Sequence, residues 1–341
     1  MNIRILFSLF SLSILLMLYS LDSATAEDSR MPFPEISLQE THNPFQFVVY
    51  GDIQGDYRDG HRRILEQMGS QMFDFMMSVG DISSDEGRDY EREFLPEVLP
   101  VAIRIPFFPA PGNHDIRWDS RLSRYPFRSF FRESYSWLAN QPGNSHLIPE
   151  TQRLWYTFRY GSGLFIVLDS NLFIGTGYYG DTHELKEYRG YAEEQLRWAQ
   201  RVLRESLDDP SIESRFVFLH HSPFFSKERR AFLGLFGGHE DDREEMVNQR
   251  MPPNEEKIEY LLDLFRYYRV TTVFSGHEHY YERWRETLSE EGRPFHSLDW
   301  VLVGSGGVSP RSHREYGDEK VEELFEEGSV YEGYVERASR L

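Results

Sequence analysis

The sequence predicts an α/β fold with a candidate metal site on the loops at its strand ends. Two patterns point there. Short apolar runs of β character alternate with amphipathic helical stretches. Five far-apart segments of metal-ligand type follow such runs: Gly51-Asp52-Ile53-Gln54, Gly80-Asp81, Gly112-Asn113-His114-Asp115, His220-His221 and Gly276-His277-Glu278-His279.

Taken in order, Phe45–Tyr50 reads as a strand running into the Asp52 turn. Gly60–Gln71 reads as a helix, with Ile64, Leu65 and Met68 on one face. Strand Phe73–Val79 runs into Asp81, and Gly87–Leu99 is a second helical pattern. Ile105–Ala110 is apolar but broken by Pro106 and Pro109, and it leads into Asn113. Leu154–Tyr160 and Leu164–Asp169 read as two strands joined by Gly161-Ser162-Gly163, a hairpin signal. Residues 171–190 are rich in Gly and Tyr and read as a loop over the site. Tyr191–Leu207 is an amphipathic helix, with Leu196, Ala199 and Leu203 at helical spacing. Phe216–Leu219 leads to the histidine pair, and Ala231–Pro253 reads as a mobile polar insertion. Glu255–Tyr267 is a helix, while Thr271–Ser275 and Trp300–Val303 are strands. The acidic last thirty residues read as a partly helical tail.

The chain has 341 residues, 40% of them apolar and 15% aromatic, enough to bury a large core. Its net charge of −19 repels phosphate backbones and anionic lipid, so no nucleic-acid or membrane surface is expected. A small anion can still be held, because a local dication outweighs diffuse charge. With no cysteine, disulfides, thiolate metal sites and a lipoprotein anchor are excluded. Residues 1–26 have the form of a signal peptide: Arg4, an apolar stretch from Ile5 to Leu21, and Ala24-Thr25-Ala26 for cleavage after Ala26. The expected organisation is signal peptide 1–26, polar lead-in 27–43, one catalytic domain 44–310 and tail 311–341, with a periplasmic or secreted mature protein.

Asp and His are ligands suited to Zn²⁺, Mn²⁺ and Fe. Asp81, at the end of an apolar strand, can bridge two cations held ~3.5–4 Å apart. Asn113 is a neutral donor that keeps ligand charge low enough for a bound phosphate. The glycine before each ligand, at 51, 80, 112 and 276, is expected to let the backbone turn sharply.

These segments resemble the ordered motifs of the calcineurin-like metallophosphoesterases: Gly-Asp-x-His, Gly-Asp, Gly-Asn-His-Asp/Glu, a strand-end His and Gly-His-x-His. All five occur in order between Asp52 and His279. Gly276-His277-Glu278-His279-Tyr280-Tyr281-Glu282-Arg283 looks especially like the purple acid phosphatase branch, and Leu168-Asp169-Ser170-Asn171 and Gly304-Ser305-Gly306-Gly307 also resemble that group.

The resemblance implies a two-sheet sandwich flanked by helices (αββα) and two metal ions, Mn, Fe or Zn. One ion would take Asp52, Asp81 and His279; the other would take Asp81, Asn113, His277 and a histidine of the 220–221 pair. His220 is favoured because it comes first after the strand, although His221-Ser222-Pro223 matches the His-x-Pro form of the purple acid branch. His221 would then touch substrate. A metal-activated hydroxide would attack phosphorus in line, with His114 as general acid and Asp115 orienting it. The substrate implied is a small phosphate ester.

Two positions depart from the family pattern. Gln54 stands where many members have a ligand His, and Ser84 stands where the purple acid branch has a ligand Tyr. Gln54 can bind through its carbonyl oxygen or hold a metal-bound water. These departures favour an alternative, a non-catalytic or weakly active binding protein on the same fold with a degenerate first metal site. His42, His61, His146, His183, His239, His296 and His313 lack a partner at ligand spacing and read as surface or loop histidines.

Overall fold

The computed structural model describes residues 38, 43–54, 58–84, 90–116, 124–147, 153–173, 184–222, 255–290, 293–307 and 330–334. The N-terminal segment expected to be a signal peptide, residues 174–183 of the expected 171–190 loop and the 231–253 insertion lie outside them; residues 184–190, read as loop, are instead the first turns of a helix that runs on to Leu207.

The first half builds a small parallel sheet. Strands β1 (Phe47–Tyr50), β2 (Phe75–Ser78) and β3 (Phe107–Pro109) pair in that order. Helix α1 (Arg58–Gly69) connects the first two strands. A π-helical turn (Tyr90–Phe94) running into α2 (Leu95–Ala102) connects β2 to β3. Helices α3 (Arg124–Phe130) and α4 (Arg132–Ala139) follow. The sequence reading names no element there, yet Phe127, Phe130, Phe131, Tyr135 and Leu138 recur at helical spacing and are all buried.

The second half builds a seven-stranded sheet. Strands β4 (Tyr156–Tyr160) and β5 (Gly163–Val167) form the expected hairpin. After a 3₁₀ turn (Ser170–Leu172) and helix α5 (Glu184–Leu207) comes β6 (Ser214–His221). Helix α6 (Glu255–Tyr267), β7 (Thr272–Gly276), β8 (Tyr281–Glu290) and β9 (Arg293–Val303) complete most of the sheet. The C-terminal segment Val330–Tyr334 is strand β10, paired antiparallel with β8. Of the tail expected to be partly helical, these five residues extend the sheet edge, and the rest lies outside the described residues. The strand order is β10-β8-β9-β7-β6-β5-β4.

Side-chain alternation fixes how the sheets stack. In β5 and β6, Phe165, Phe216 and Phe218 face the small sheet, whereas Leu164, Ile166, Val217 and Leu219 pack with Leu196 and Leu203 of α5 and with Leu261 and Phe265 of α6. Between the sheets lies a column of rings. Phe47 stacks on Phe75 at 5.4 Å, Phe75 meets Phe165 edge-on at 5.0 Å, and Phe165 stacks on Phe158 at 4.9 Å and on Phe216 at 5.1 Å. On the outer face of the small sheet Tyr50 and Phe107 meet His61 of α1, Phe94 and Phe131, while α4 packs at the sandwich edge with Trp137 against Phe108 and Phe158. The result is the αββα sandwich the sequence predicts.

Strand β8 was not legible, because Glu282, Arg283, Arg285 and Glu286 break any apolar run. Glu286 is nevertheless buried. Its carboxylate accepts from Arg266 Nε of α6 at 3.0 Å and from Trp300 Nε1 of β9 at 3.2 Å. Its partners lie on other elements, so a local reading cannot see why the charge is tolerated. Arg283 pairs with Asp299 at 2.7 Å. His61 is corrected from surface to core. It lies between the rings of Tyr50 and Phe94, its Nδ1 is 2.9 Å from Glu97 Oε2, and burial lowers its pKa despite that carboxylate.

Phe165 touches rings from both sheets and is fully buried. Phe165→Ala is expected to cost about 3–5 kcal/mol of stability. Chemical denaturation with the metal state held fixed measures it.

Candidate metal centre

Strands β1, β2, β3, β6 and β7 deliver their C-terminal ends to one rim, and all five polar segments meet there. The backbone is forced at the turns. Asp52 (φ 56°), Asp81 (φ 52°) and His277 (φ 73°) have positive φ, and among the described non-glycine residues only Arg269 shares this. A β-type strand that must swing a ligand side chain sharply off its end adopts this sparsely populated conformation, which costs of order 1–3 kcal/mol per residue.

The glycines play a different part from the one expected. Only Gly80 has positive φ; Gly51, Gly112 and Gly276 do not. A Cβ on Gly112 would overlap Asp81 Oδ1, and one on Gly276 would overlap Asp52 Oδ2. They leave room for the carboxylates, while the residues after them make the turn.

His220 and its neighbours converge. Its ring is buried, and Nδ1–H donates to the Val79 carbonyl at 2.9 Å. That commits Nε2 as the lone-pair nitrogen of the neutral ring. Nε2 lies 2.9 Å from Asn113 Oδ1 and 3.3 Å from Asp81 Oδ2. His277 Nδ1 lies 3.0 Å from the same Asn113 oxygen and 3.3 Å from His220 Nε2. Three acceptors of His220, Asn113 and Asp81 thus crowd together with no hydrogen among them unless His220 takes a second proton.

Beside this cluster, Asp52 Oδ1 lies 3.6 Å from His279 Nε2, and the Asp52 carboxylate accepts the His277 backbone N–H at 3.0 Å. One atom each from Asp52, Asp81 and His220 lies within 4.8 Å of the others, as does one each from His220, His221 and His277. Gln54 Nε2 donates to Asp81 Oδ2 at 3.0 Å, and its Oε1 is buried with no hydrogen-bond partner. This donor set fits divalent cations: buried carboxylates, imidazole lone pairs and amide oxygens facing one another.

Electrostatics agree. Burial opposes a charge on His220, but the Asp81 carboxylate outweighs it and raises the pKa to about 9. Burial likewise opposes ionisation of Asp81, and His220 reverses the effect, holding it well below the usual carboxylate range. A proton on His220 is the positive charge these carboxylates demand when no other cation is present. Burial, reinforced by His277 and His220, pushes His221 well below an ordinary imidazole.

The remaining expected residues fall as follows. His114 is exposed at the rim, with its backbone N–H on Asp81 Oδ1 at 2.9 Å. Asp115 does not reach for the His114 ring. Its Oδ1 accepts from the N–H groups of Ile82 and Ser83 and from the Tyr90 hydroxyl, and its Oδ2 accepts from Gly112 N–H. These bonds lash the Asp81 and Asn113 loops together, so the expected orienting contact to His114 is corrected. Burial, then the Asp81 charge, raises Asp115 to about 6. His221 Nδ1 lies 2.9 Å from Ser170 Oγ, which also accepts the His221 backbone N–H at 3.0 Å; Nε2 is buried without a partner. Ser84 is exposed at the rim.

Sequence reasoning missed three supports: the Val79 carbonyl, Tyr90, and Asn171, whose Nδ2 donates to Pro111 O at 3.2 Å. The Asp169-Ser170-Asn171 run carried a family signal. The Val79 carbonyl, a main-chain group, carried none.

Residues 45–281 match the family model described as calcineurin-like phosphoesterase. The chain belongs to that family, whose fold and divalent-metal chemistry the sandwich and its rim fit. Within the family its relatives are acid phosphatases of the purple type. It is 25% identical over 251 residues to acid phosphatase type 7 of Mus musculus, covering 70% of this chain and 47% of that protein. It is 25% identical over 277 residues to purple acid phosphatase 22 of Arabidopsis thaliana (80% and 53%). It is 23% identical over 283 residues to probable inactive purple acid phosphatase 9 of the same plant (74% and 37%). The chain therefore spans about half the length, or less, of the curated relatives it matches. The purple acid phosphatase PPD1 from yellow lupin (Lupinus luteus) seeds shares the fold, with TM-score 0.52 and 18% identity over 80% of this chain and 46% of that one. Among the described residues, no helix is long and apolar enough to cross a membrane.

A proton on His220 Nε2 and a metal ion exclude each other. With a pKa of about 9 in the metal-free centre, His220 is protonated at pH 7. Metal binding at pH 7 is expected to release that proton, so apparent affinity rises with pH and levels off above about 9. Calorimetric titration in buffers of different ionisation enthalpy counts the proton, and His220→Ala should lose it.

Proposed function

We propose that this protein is a dinuclear metallohydrolase of small phosphate esters. The observation that carries the reading is the crowding of His220 Nε2, Asn113 Oδ1 and Asp81 Oδ2 within 3.3 Å of the His220 nitrogen, a geometry that calls for a cation. The strained turns at Asp52, Asp81 and His277 support it, as does the phosphoesterase family match.

Asp52, Asp81, Gln54 and His279 are the side chains for one ion, and Asp81, Asn113, His220 and His277 are those for the other. Ions held there supply Lewis acidity toward phosphate oxygens and lower the pKa of a coordinated water. The protein's own residues do the rest. Val79 and Asp115 keep the ligand loops in register before substrate arrives, so no reorganisation is needed during reaction. His221, held by Ser170 and with a buried unpartnered Nε2, is the donor for a phosphate oxygen. His114 stands exposed where a leaving group departs. An imidazole N–H of His114 gives its proton to the leaving ester oxygen. Residues 1–26, with their basic start and apolar stretch, direct the chain out of the cytoplasm.

A second reading, a binding protein without turnover, is favoured by Gln54. Its amide is hydrogen-bonded to Asp81 where many family members carry a ligand histidine, and two relatives are named probable inactive. Hydrolysis of para-nitrophenyl phosphate by the metal-loaded protein separates the two.

Asp81→Asn should abolish hydrolysis, since both ion positions lose a carboxylate. Because His114 is exposed, His114→Ala should keep the melting temperature and both ions yet lose about 10²-fold or more in rate. The loss should be larger for unactivated alkyl esters than for aryl esters. Parental rates with both ester classes would remove His114 from its role.

A further inference from the structure

The two halves of the centre are not built from the same atoms. On one side lie the Asp52 and Asp81 carboxylates, the His279 imidazole, and Gln54, whose amide nitrogen meets Asp81 and whose amide oxygen is buried without a partner. On the other, His220 and His277 bring two imidazole nitrogens within 3.3 Å of each other, with a third, His221, close by. Oxygen donors suit Mn²⁺ and Mg²⁺, whereas imidazole suits Zn²⁺ and its neighbours. A histidine in place of Gln54 would make the sides nearly alike.

Gln54 also bears on how readily the first side fills. Its Nε2 donates to Asp81 Oδ2 at 3.0 Å, the same oxygen that lies 3.3 Å from His220 Nε2. An ion entering beside Asp52 must compete with that N–H for Asp81. The amide also has an unused donor atom, since Oε1 is buried and has no hydrogen-bond partner. A buried carbonyl oxygen left unsatisfied costs free energy that a hard cation would relieve.

We propose that Gln54 is the metal-selecting residue of this centre: the position lined by Asp52, Gln54, Asp81 and His279 takes a hard, oxygen-seeking ion such as Mn²⁺ or Mg²⁺. The position lined by Asp81, Asn113, His220 and His277 has two imidazoles in place of one, takes a borderline ion such as Zn²⁺ and fills first. The inference rests on the reading of the rim as a two-ion site and adds which ion each side prefers. The Irving–Williams order generally puts Zn²⁺ above Mn²⁺, by the widest margin at nitrogen donors. Retention of Mn²⁺ against Zn²⁺ must therefore come from the donor set, and Gln54 is where that set departs from histidine.

The test uses the full mature chain, stripped of metal, dialysed against equimolar Zn²⁺ and Mn²⁺, and analysed for both elements. Mn²⁺ electron paramagnetic resonance reports whether each Mn²⁺ is isolated or coupled to a second. The expected result is about one Zn²⁺ and one Mn²⁺ per chain with an uncoupled Mn²⁺ signal. Titration with Zn²⁺ alone should show a tight first step and a weaker second. Gln54→His should tighten the second Zn²⁺ step roughly 10- to 100-fold, the range for groups that tune a metal ligand, and expel Mn²⁺. Gln54→Glu, which adds an oxygen donor, should instead strengthen Mn²⁺ retention, so the two variants must move in opposite directions. Two equally tight Zn²⁺ ions in the parent, with neither variant altering the preference, would overturn the inference and leave the two-ion reading intact. One ion or none under every condition would overturn the two-ion reading, and the inference with it.

Discussion

Everything at this rim depends on placing like groups against like. Asp52 and Asp81 are buried carboxylates, and His220 Nε2, an acceptor in the neutral ring, lies 3.3 Å from Asp81 Oδ2 and 2.9 Å from Asn113 Oδ1. Burying such groups unpaired costs several kcal/mol each. The protein tolerates it because a positive charge can sit among them: a proton on His220, or a metal ion. That exchange links the acid–base state of the centre to its metal content.

The scaffold meets this cost by being stiff where the ligands leave it. The phenylalanine column between the sheets locks the registers of β1, β2, β5 and β6, so their ends cannot drift. Above the column, ligands turn off the strands through left-handed conformations at Asp52, Asp81 and His277. Such conformations persist only where the surroundings over-determine them. Here Asp115 takes four hydrogen bonds from the Asp81 and Asn113 loops and from Tyr90, and Asn171 ties the Gly112 loop to the turn beside His221. These tethers are as much a part of the centre as the donors.

Asymmetry enters through one side chain. Gln54 is a neutral amide in a place where the family pattern has an imidazole, and it leans on the carboxylate that both ions would share. Amide and imidazole differ in hardness and in basicity, so the two would hold an ion differently. The same frame can thus host several metal preferences with little change in its core.

The amino-acid sequence by itself determined the class of fold and the polar segments that meet at the rim. Alternation of period two in Phe216-Val217-Phe218-Leu219 and helical spacing in Glu255–Tyr267 are local consequences of chain geometry, and they can be read without coordinates. The five polar segments were legible for the same reason, each being a contiguous strand end followed by its turn. Tertiary structure alone decided what those residues touch. It buried Glu286 against Arg266 and Trp300, moved His61 into the core beside Glu97, and made strand β10 from an acidic tail. It also turned Asp115 from the His114 ring to the backbone of Ile82 and Ser83, and set His220 Nε2 by giving Nδ1 the carbonyl of Val79. Each of these rests on a partner more than ten residues away. A pattern in a short window records which face a residue lies on, but not which atom from a distant strand meets it there.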